Sequence, residues 1–233
     1  MLAVFKSPKV KKFLNEWVYP LGIALLLAGL FRTTIASPRH IPTGSMIPTI
    51  QIGEFIFVNM MAYDWHIPFT RQSFDQRANP QRGEVVVFEY PMDASKDFIK
   101  RVIGVPGDTV EVVDKRVIVN GQPLPLDPIE ASEVSNPIPL KYSNVSFFRE
   151  TNGTHQYLVM HVNDKFAMDM SAIRVPEDSF FVMGDNRDDS DDSRRWGVVQ
   201  REKFLGRGGF IWFSFDKERA PWLRLNRIGT TLN

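Results

Sequence analysis

The run from Trp17 to Phe31, "WVYPLGIALLLAGLF", constrains this chain more than any other stretch. Extended through Arg32 to Ala36, it supplies the roughly 20 residues that a helix needs to cross a bilayer. Lys6, Lys9, Lys11 and Lys12 precede it. Basic residues favour the cytoplasmic side, which predicts residues 1–16 inside, a single-pass anchor over 17–36 and everything beyond it outside. A cleavable leader meets the same description, because a basic start, a short apolar stretch and small residues near Thr34 and Ala36 are its marks. Either way the bulk of the chain leaves the cytoplasm.

Composition removes several kinds of chemistry. With 28 basic and 27 acidic residues the formal charge is +1, so no overall field points to nucleic acid. There is no cysteine, which excludes a disulfide, Cys-ligated zinc and a thiol nucleophile. The four histidines, His40, His66, His155 and His161, form no H-E-x-x-H pair, so a zinc hydrolase is not expected. At 233 residues and 43% hydrophobic, the chain has material for one substantial core or two small ones.

Beyond the apolar run, the sequence breaks into short segments dense in Val, Ile and Phe. They are residues 54–60, 84–90, 97–105, 109–113, 116–121, 179–184 and 209–215, bounded by Gly, Pro, Asn or Asp. Sustained 3.6-residue periodicity is scarce. The expectation is a mostly β protein: an antiparallel β domain made of 37–121 and 178–233, with the N-terminal transmembrane helix as its main helix. Residues 122–177, with Pro123, Pro125, Pro128, Pro137 and Pro139, read as an inserted β subdomain. Residues 64–82, with Arg71, Arg77 and Arg82, read as a long surface loop.

Three segments carry candidate chemistry. In "IPTGSMIPTI", residues 41–50, two prolines and Gly44 surround Ser45. Proline fixes φ and glycine permits an unusual backbone angle, so this is a rigid, shaped turn. Most serines in such turns only satisfy local backbone groups. A nucleophilic serine needs a base, and with four scattered histidines a lysine is the other choice, provided burial lowers its pKa. Lys100 lies in "DFIKRVIGVPGD", where strand alternation puts Phe98, Lys100 and Val102 on one face and Ile99, Arg101 and Ile103 on the other. Its long stem favours reaching the strand edge; the alternative is burial for a reason. The third segment, "GDNRDDSDDSRRWG" at 184–197, fails as a calcium loop, because a register from Asp189 puts Arg194 and Gln200 where Gly and Glu are required. It is either a solvated turn or an ordered loop in which Asp192 pairs with Arg194 and Ser190 offers a hydroxyl to a polar neighbour.

Together, "IPTGSMIPT", "FIKRVIGVPGD" and "GDNRDDSDDSR", in that order after a membrane segment, resemble bacterial type I signal peptidase in its Gram-negative form. "WGVVQREKFLGRGGFIWFSFD" and "LRLNRIG" are similar to that family's last strands and tail. The resemblance covers 14–121 and 178–230. It implies a membrane-anchored serine endopeptidase that removes signal peptides from exported preproteins, with Ser45 as nucleophile and Lys100 as general base. It also implies a catalytic domain facing the periplasm from the inner membrane. Thr43 takes the place of a serine whose hydroxyl, with the Ser45 amide, stabilises the oxyanion; Ser190 orients the lysine; Asp192 and Arg194 form a loop-shaping ion pair. Ile41, Met46, Ile50, Phe98 and Ile99 match positions lining shallow pockets for small side chains. Asp97 and Arg101 fall inside the motif without an assigned step. No cofactor or metal is implied. The partners are secretory preproteins and membrane lipid, with contact between residues 122–177 and the translocation machinery left open.

Two other functions fit parts of the sequence. A self-cleaving Ser-Lys peptidase of the phage-repressor type would carry a DNA-binding domain where this chain has its apolar run. A non-catalytic envelope module would bind through exposed Trp196, Trp212 and Trp222. Penicillin-binding chemistry is excluded, because no S-x-x-K motif surrounds Ser45.

Overall fold

A computed structural model of the chain describes residues 8–70, 72–134, 138–139, 141–216 and 222–232. Lys6, Arg71 and Pro137, used above, lie outside those residues. A helical rod runs from Pro8 to Thr34: α1 (Pro8–Phe13), a π turn (Leu14–Val18) and α2 (Tyr19–Thr34). The π turn falls just ahead of Pro20, whose missing N–H interrupts the i→i−4 ladder. The 27 residues of the rod are long and apolar enough to cross a membrane, and the apolar window is not covered by the rest of the chain. The rod starts before Trp17 and ends before Ala36, which is already paired as a strand.

Sixteen strands follow among the described residues. In chain order, β1 (Ala36–His40) and β2 (Glu54–Asn59) pair antiparallel, and β3 (Asp64–His66) and β4 (Ser73–Gln76) make a separate hairpin. Next come β5 (Val85–Tyr90), β6 (Asp93–Gly104), β7 (Thr109–Val113), β8 (Arg116–Val119) and β9 (Gln122–Pro123). β10 (Leu126–Ile129), β11 (Val145–Asn152), β12 (His155–Val162) and β13 (Met170–Arg174) precede β14 (Ser179–Met183), β15 (Val199–Gln200) and β16 (Phe204–Ser214). The main sheet has the order β1-β2-β16-β5-β6-β14-β15, and its strand pairs are antiparallel. The mostly β expectation therefore holds, with the N-terminal helix as the long one.

Alternation along β5 explains how the middle of the main sheet is buried on both faces. Val85 and Val87 enter one apolar cluster with Ile41, Met46, Ile50, Ile56 and Ile99; Val86 and Phe88 enter the other with Val102, Phe180, Val182 and Phe204. Each of these side chains contributes roughly 1.5–3 kcal/mol by leaving water. A valine-rich β5 thus forms the middle of the fold because neither of its faces meets solvent.

Within 122–177, β10, β11 and β12 make a three-stranded sheet of their own, whereas β9 and β13 join β7 and β8. Asn120 and Gly121, both with positive φ, turn β8 into β9, as an Asn-Gly pair in a two-residue hairpin requires. The 64–82 stretch is not one long loop. β3 and β4 occupy part of it, tied to the main sheet by Arg201, which grips the Asp64 carboxylate with two nitrogens. Strands of three and four residues are too short to show an alternation in sequence. Trp196 packs half-buried on Phe88 and Tyr90, so it is not one of the exposed aromatics, while Trp212 and Trp222 are exposed.

Candidate active site

Residues 41–50 form a turn between β1 and β2, in which Ser45 is buried. The tail holds it from behind: Arg227 donates to Thr49 O at 2.7 Å and to the Glu54 carboxylate at 2.7 Å. Gly44 does not take the left-handed backbone angle expected of it. Its missing side chain gives room instead, because a Cβ would stand 2.9 Å from Ile47 Cδ1 and 3.2 Å from Tyr142 Oη and both would have to shift.

β6 brings Lys100 to this turn. Its Nζ donates to Ser45 Oγ at 2.8 Å and to Ile99 O at 3.0 Å, and it lies 5.2 Å from the centre of the Phe98 ring on the same strand face. The lysine does not reach the strand edge; it is 4% exposed. The reason is the neighbour across the sheet, Val86, which is itself fully buried, so the side chain beside it has no route to water. Burial pushes the ammonium pKa down to about 8, against the raising influence of Asp192, Asp191 and Asp185, and Arg194 adds to the lowering.

The loop after β14 closes the site. Arg194 Nε and Nη2 each donate to the Asp192 carboxylate at 2.8 Å, and Gly184 N–H donates to it at 3.0 Å. Burial opposes ionisation of Asp192, but Arg194 and these donors outweigh it and hold the carboxyl below its usual range. The loop is therefore ordered rather than solvated. Ser190 Oγ, near enough to help lower the Asp192 pKa, meets no partner in hydrogen-bonding geometry among the described residues. A Cβ on Gly184 would stand 2.3 Å from this hydroxyl and 2.4 Å from Ser45 O, so only glycine lets the two loops approach.

A buried hydroxyl bonded to a buried, partly deprotonated amine is an arrangement that can deliver an activated alkoxide to a carbonyl carbon. The family model for "Signal peptidase, peptidase S26" matches residues 14–213. The chain belongs to the signal peptidase family, peptidase S26. Signal peptidase I of Pseudomonas fluorescens is 32% identical over 96% of this chain and 80% of its own length. Signal peptidase I of Rickettsia massiliae is 35% identical over 96% of this chain and 94% of its own. A solved signal peptidase I from Enterococcus faecalis V583 shares 32% identity, covering 56% of this chain and 97% of that one, with a TM-score of 0.34. Membership in this peptidase family makes the chain a serine peptidase, a hydrolase.

The family resemblance named eleven site residues, and the structure gathers most of them. Ile41, Met46, Ile50 and Ile99 form one buried cluster under the Ser45 turn. Phe98 stands apart from that cluster, stacked on Tyr90 at 4.2 Å on the Lys100 face. Thr43 is exposed beside Ser45, with its hydroxyl unpartnered among the described residues.

Other residues escaped the sequence reading. Arg101, fully buried, holds Asp185 with Nε and Nη2 at 2.8 and 2.7 Å, donates to Gly83 O and stacks 3.9 Å from the centre of the Tyr157 ring. Arg187 forms a second buried pair with Glu150 of β11. Two buried arginines in contact with β11 and β12 tie the 184–194 loop to that sheet. Asp185 and Arg187 lie in a motif the sequence displays, but Glu150 is 37 residues from Arg187, Tyr157 is 56 residues from Arg101, and neither carries a local signal.

Proposed function

We propose that this protein is a membrane-anchored endopeptidase that removes signal peptides from exported preproteins with a Ser45/Lys100 dyad. The 2.8 Å bond from a buried Lys100 Nζ to Ser45 Oγ carries this reading. Neutral Lys100 takes the Ser45 proton as Oγ bonds to the scissile carbonyl carbon. The resulting oxyanion is held by the Ser45 N–H and the Thr43 hydroxyl. Collapse breaks the C–N bond, and the Lys100 proton passes to the leaving amine. Water then attacks the acyl-serine, giving its proton back through Lys100 and releasing a carboxylate. Ile41, Met46, Ile50 and Ile99 supply a buried apolar floor, which on this reading takes small side chains at the first and third positions before the cut and rejects larger ones by contact. The Asp192–Arg194 pair acts on Lys100 through its charges rather than on the substrate, and only the family resemblance assigns Ser190 to the lysine.

Helix and site share one geometry. Ser45 follows the end of α2 by eleven residues, so at ~3.3 Å per extended residue it stands within about 40 Å of the helix end. A preprotein held by its own apolar segment presents its cleavage site close to the same surface. Lys6, together with Lys9, Lys11 and Lys12 in the first turns of the rod, precedes the apolar stretch and supports a catalytic domain on the periplasmic side of the inner membrane. Incubating the detergent-solubilised protein with a preprotein and sequencing the new N-terminus should show a cut after a small residue with another small residue two positions earlier. Cleavage elsewhere, or none, would overturn the assignment.

Two further outcomes follow from this reading. Because Lys100 must be neutral to act, kcat/KM should rise with pH along a limb centred near 8, where its lowered pKa lies. A rate still climbing in proportion to hydroxide at pH 10 would mean an unshifted lysine. Removing residues 1–34, which keeps β1 intact, should give a soluble domain that cleaves peptides as before but processes membrane-held precursors less well, since confinement to one plane raises local concentration. Equal processing of both substrates by the truncated and full chains would argue against an anchoring role.

A further inference from the structure

Asn186 is fully buried and ties down two carbonyls of the Ser45 turn. Its backbone N–H donates to Ser45 O at 3.1 Å, and its Nδ2 donates to Gly44 O at 3.1 Å. Gly44 O also accepts from the Ile47 N–H, at 3.2 Å. Nδ2 reaches Tyr142 Oη as well, at 3.0 Å, and Tyr142 donates to the Asp189 carboxylate. Asp189 returns to the start, its N–H donating to Asn186 O at 3.1 Å.

The carboxylate gives this ring of bonds a direction. Ionised Asp189 can only accept, so the phenol hydrogen goes to it and the phenol oxygen is left to accept from Nδ2. One amide hydrogen is then committed to Tyr142 and the other faces Gly44. Without the phenol, one of the two hydrogens that hold the amide loses its acceptor, and only the bond to Gly44 O is left to fix how Nδ2 sits against the turn.

Gly44 C=O and Ser45 N–H belong to the same peptide group, which is trans, so they point in opposite directions. Fixing the carbonyl therefore aims the N–H. That N–H donates to no carbonyl or side chain among the described residues, and it is one of the two oxyanion donors in the mechanism above. We propose that Tyr142, through Asn186 and under the direction of Asp189, is a positioning residue for the Ser45 N–H and hence for the oxyanion site. The inference rests on the signal-peptidase reading of Ser45. It gives the 122–177 segment a part in the reaction: Tyr142 belongs to that segment, and Ile47 of the turn packs with its Val134, Phe147 and Met160.

Full-length Tyr142→Phe removes one oxygen and keeps the ring. Misaiming a donor without deleting it should lower kcat about tenfold, with KM within about twofold of wild type. The pH limb should not move, because Lys100 is untouched, and the melting temperature should be unchanged. A peptide aldehyde, whose carbonyl carbon bonds to Ser45 Oγ and leaves an oxyanion in the same place, should bind more weakly by the factor lost in kcat. Asp189→Ala frees the phenol to turn its hydrogen towards Asn186 and should act in the same sense; it is the decisive variant should Tyr142→Phe not fold. More than half of wild-type kcat with unchanged aldehyde affinity overturns the proposal, as does a loss confined to KM or accompanied by a matching fall in melting temperature. Wild-type turnover abolished by Ser45→Ala is the reference. Absence of that turnover overturns the functional reading and this inference together, whereas an active wild type beside an unaffected Tyr142→Phe overturns the inference alone.

Discussion

Ser45→Ala and Lys100→Met should each lower kcat by on the order of 10³ or more while the protein stays folded. The two groups supply the two halves of one proton transfer across 2.8 Å, so the double variant should be scarcely worse than either single one. Methionine suits the second change because it fills the lysine's place in the sheet without leaving a buried charge unpaired. Lys100→Arg should be equally inactive, since a guanidinium stays protonated at any working pH and cannot accept the serine proton. Initial rates on a purified preprotein, with circular dichroism as the control for folding, decide the matter. Retention of a tenth of wild-type kcat by any of the three, a loss of only about 1.4 kcal/mol, would sink the dyad.

Thr43→Val should be the next most damaging change, at on the order of 10² to 10³ in kcat, the usual consequence of deleting one oxyanion donor. Thr43 is exposed and its hydroxyl has no partner among the described residues, so its removal should cost the fold little, and valine keeps the branched shape. Thr43→Ser should remain active, because it keeps the oxygen and only loosens χ1. Valine kinetics close to wild type, with serine no better, would move the oxyanion role to a different group.

The legible and illegible parts of this protein differ by the range of the interactions that make them. Strands such as β2, β5, β7 and β8 were readable because alternation and turn residues are local, and β8 ends on an Asn-Gly pair that can hardly do anything else. β1 was missed because "ASPRH" has no β-type composition; its pairing is supplied by β2, whose residues from Phe55 to Asn59 run opposite it. Lys100 is the clearest case of the same limit. Its stem and charge argued for the strand edge, and only the burial of the opposing Val86 and of the turn above it keeps the amine from water.

By itself, the sequence determined the apolar rod, the mostly β class, the ordered triplet of motifs and thus the family. Each is a matter of composition, period or spacing within a few tens of residues. Tertiary structure decided the rest: that Ser45 and Lys100, 55 residues apart, meet at 2.8 Å; that the amine is dry enough to titrate near 8; and that Arg101–Asp185 and Arg187–Glu150 are buried pairs. It also decided that Gly44 is there for space rather than for its backbone angle, and that a tyrosine from the least readable segment stands against it. Desolvation and side-chain contact depend on everything packed around a group, and that environment is assembled from strands distant in the chain, so no local pattern can announce it.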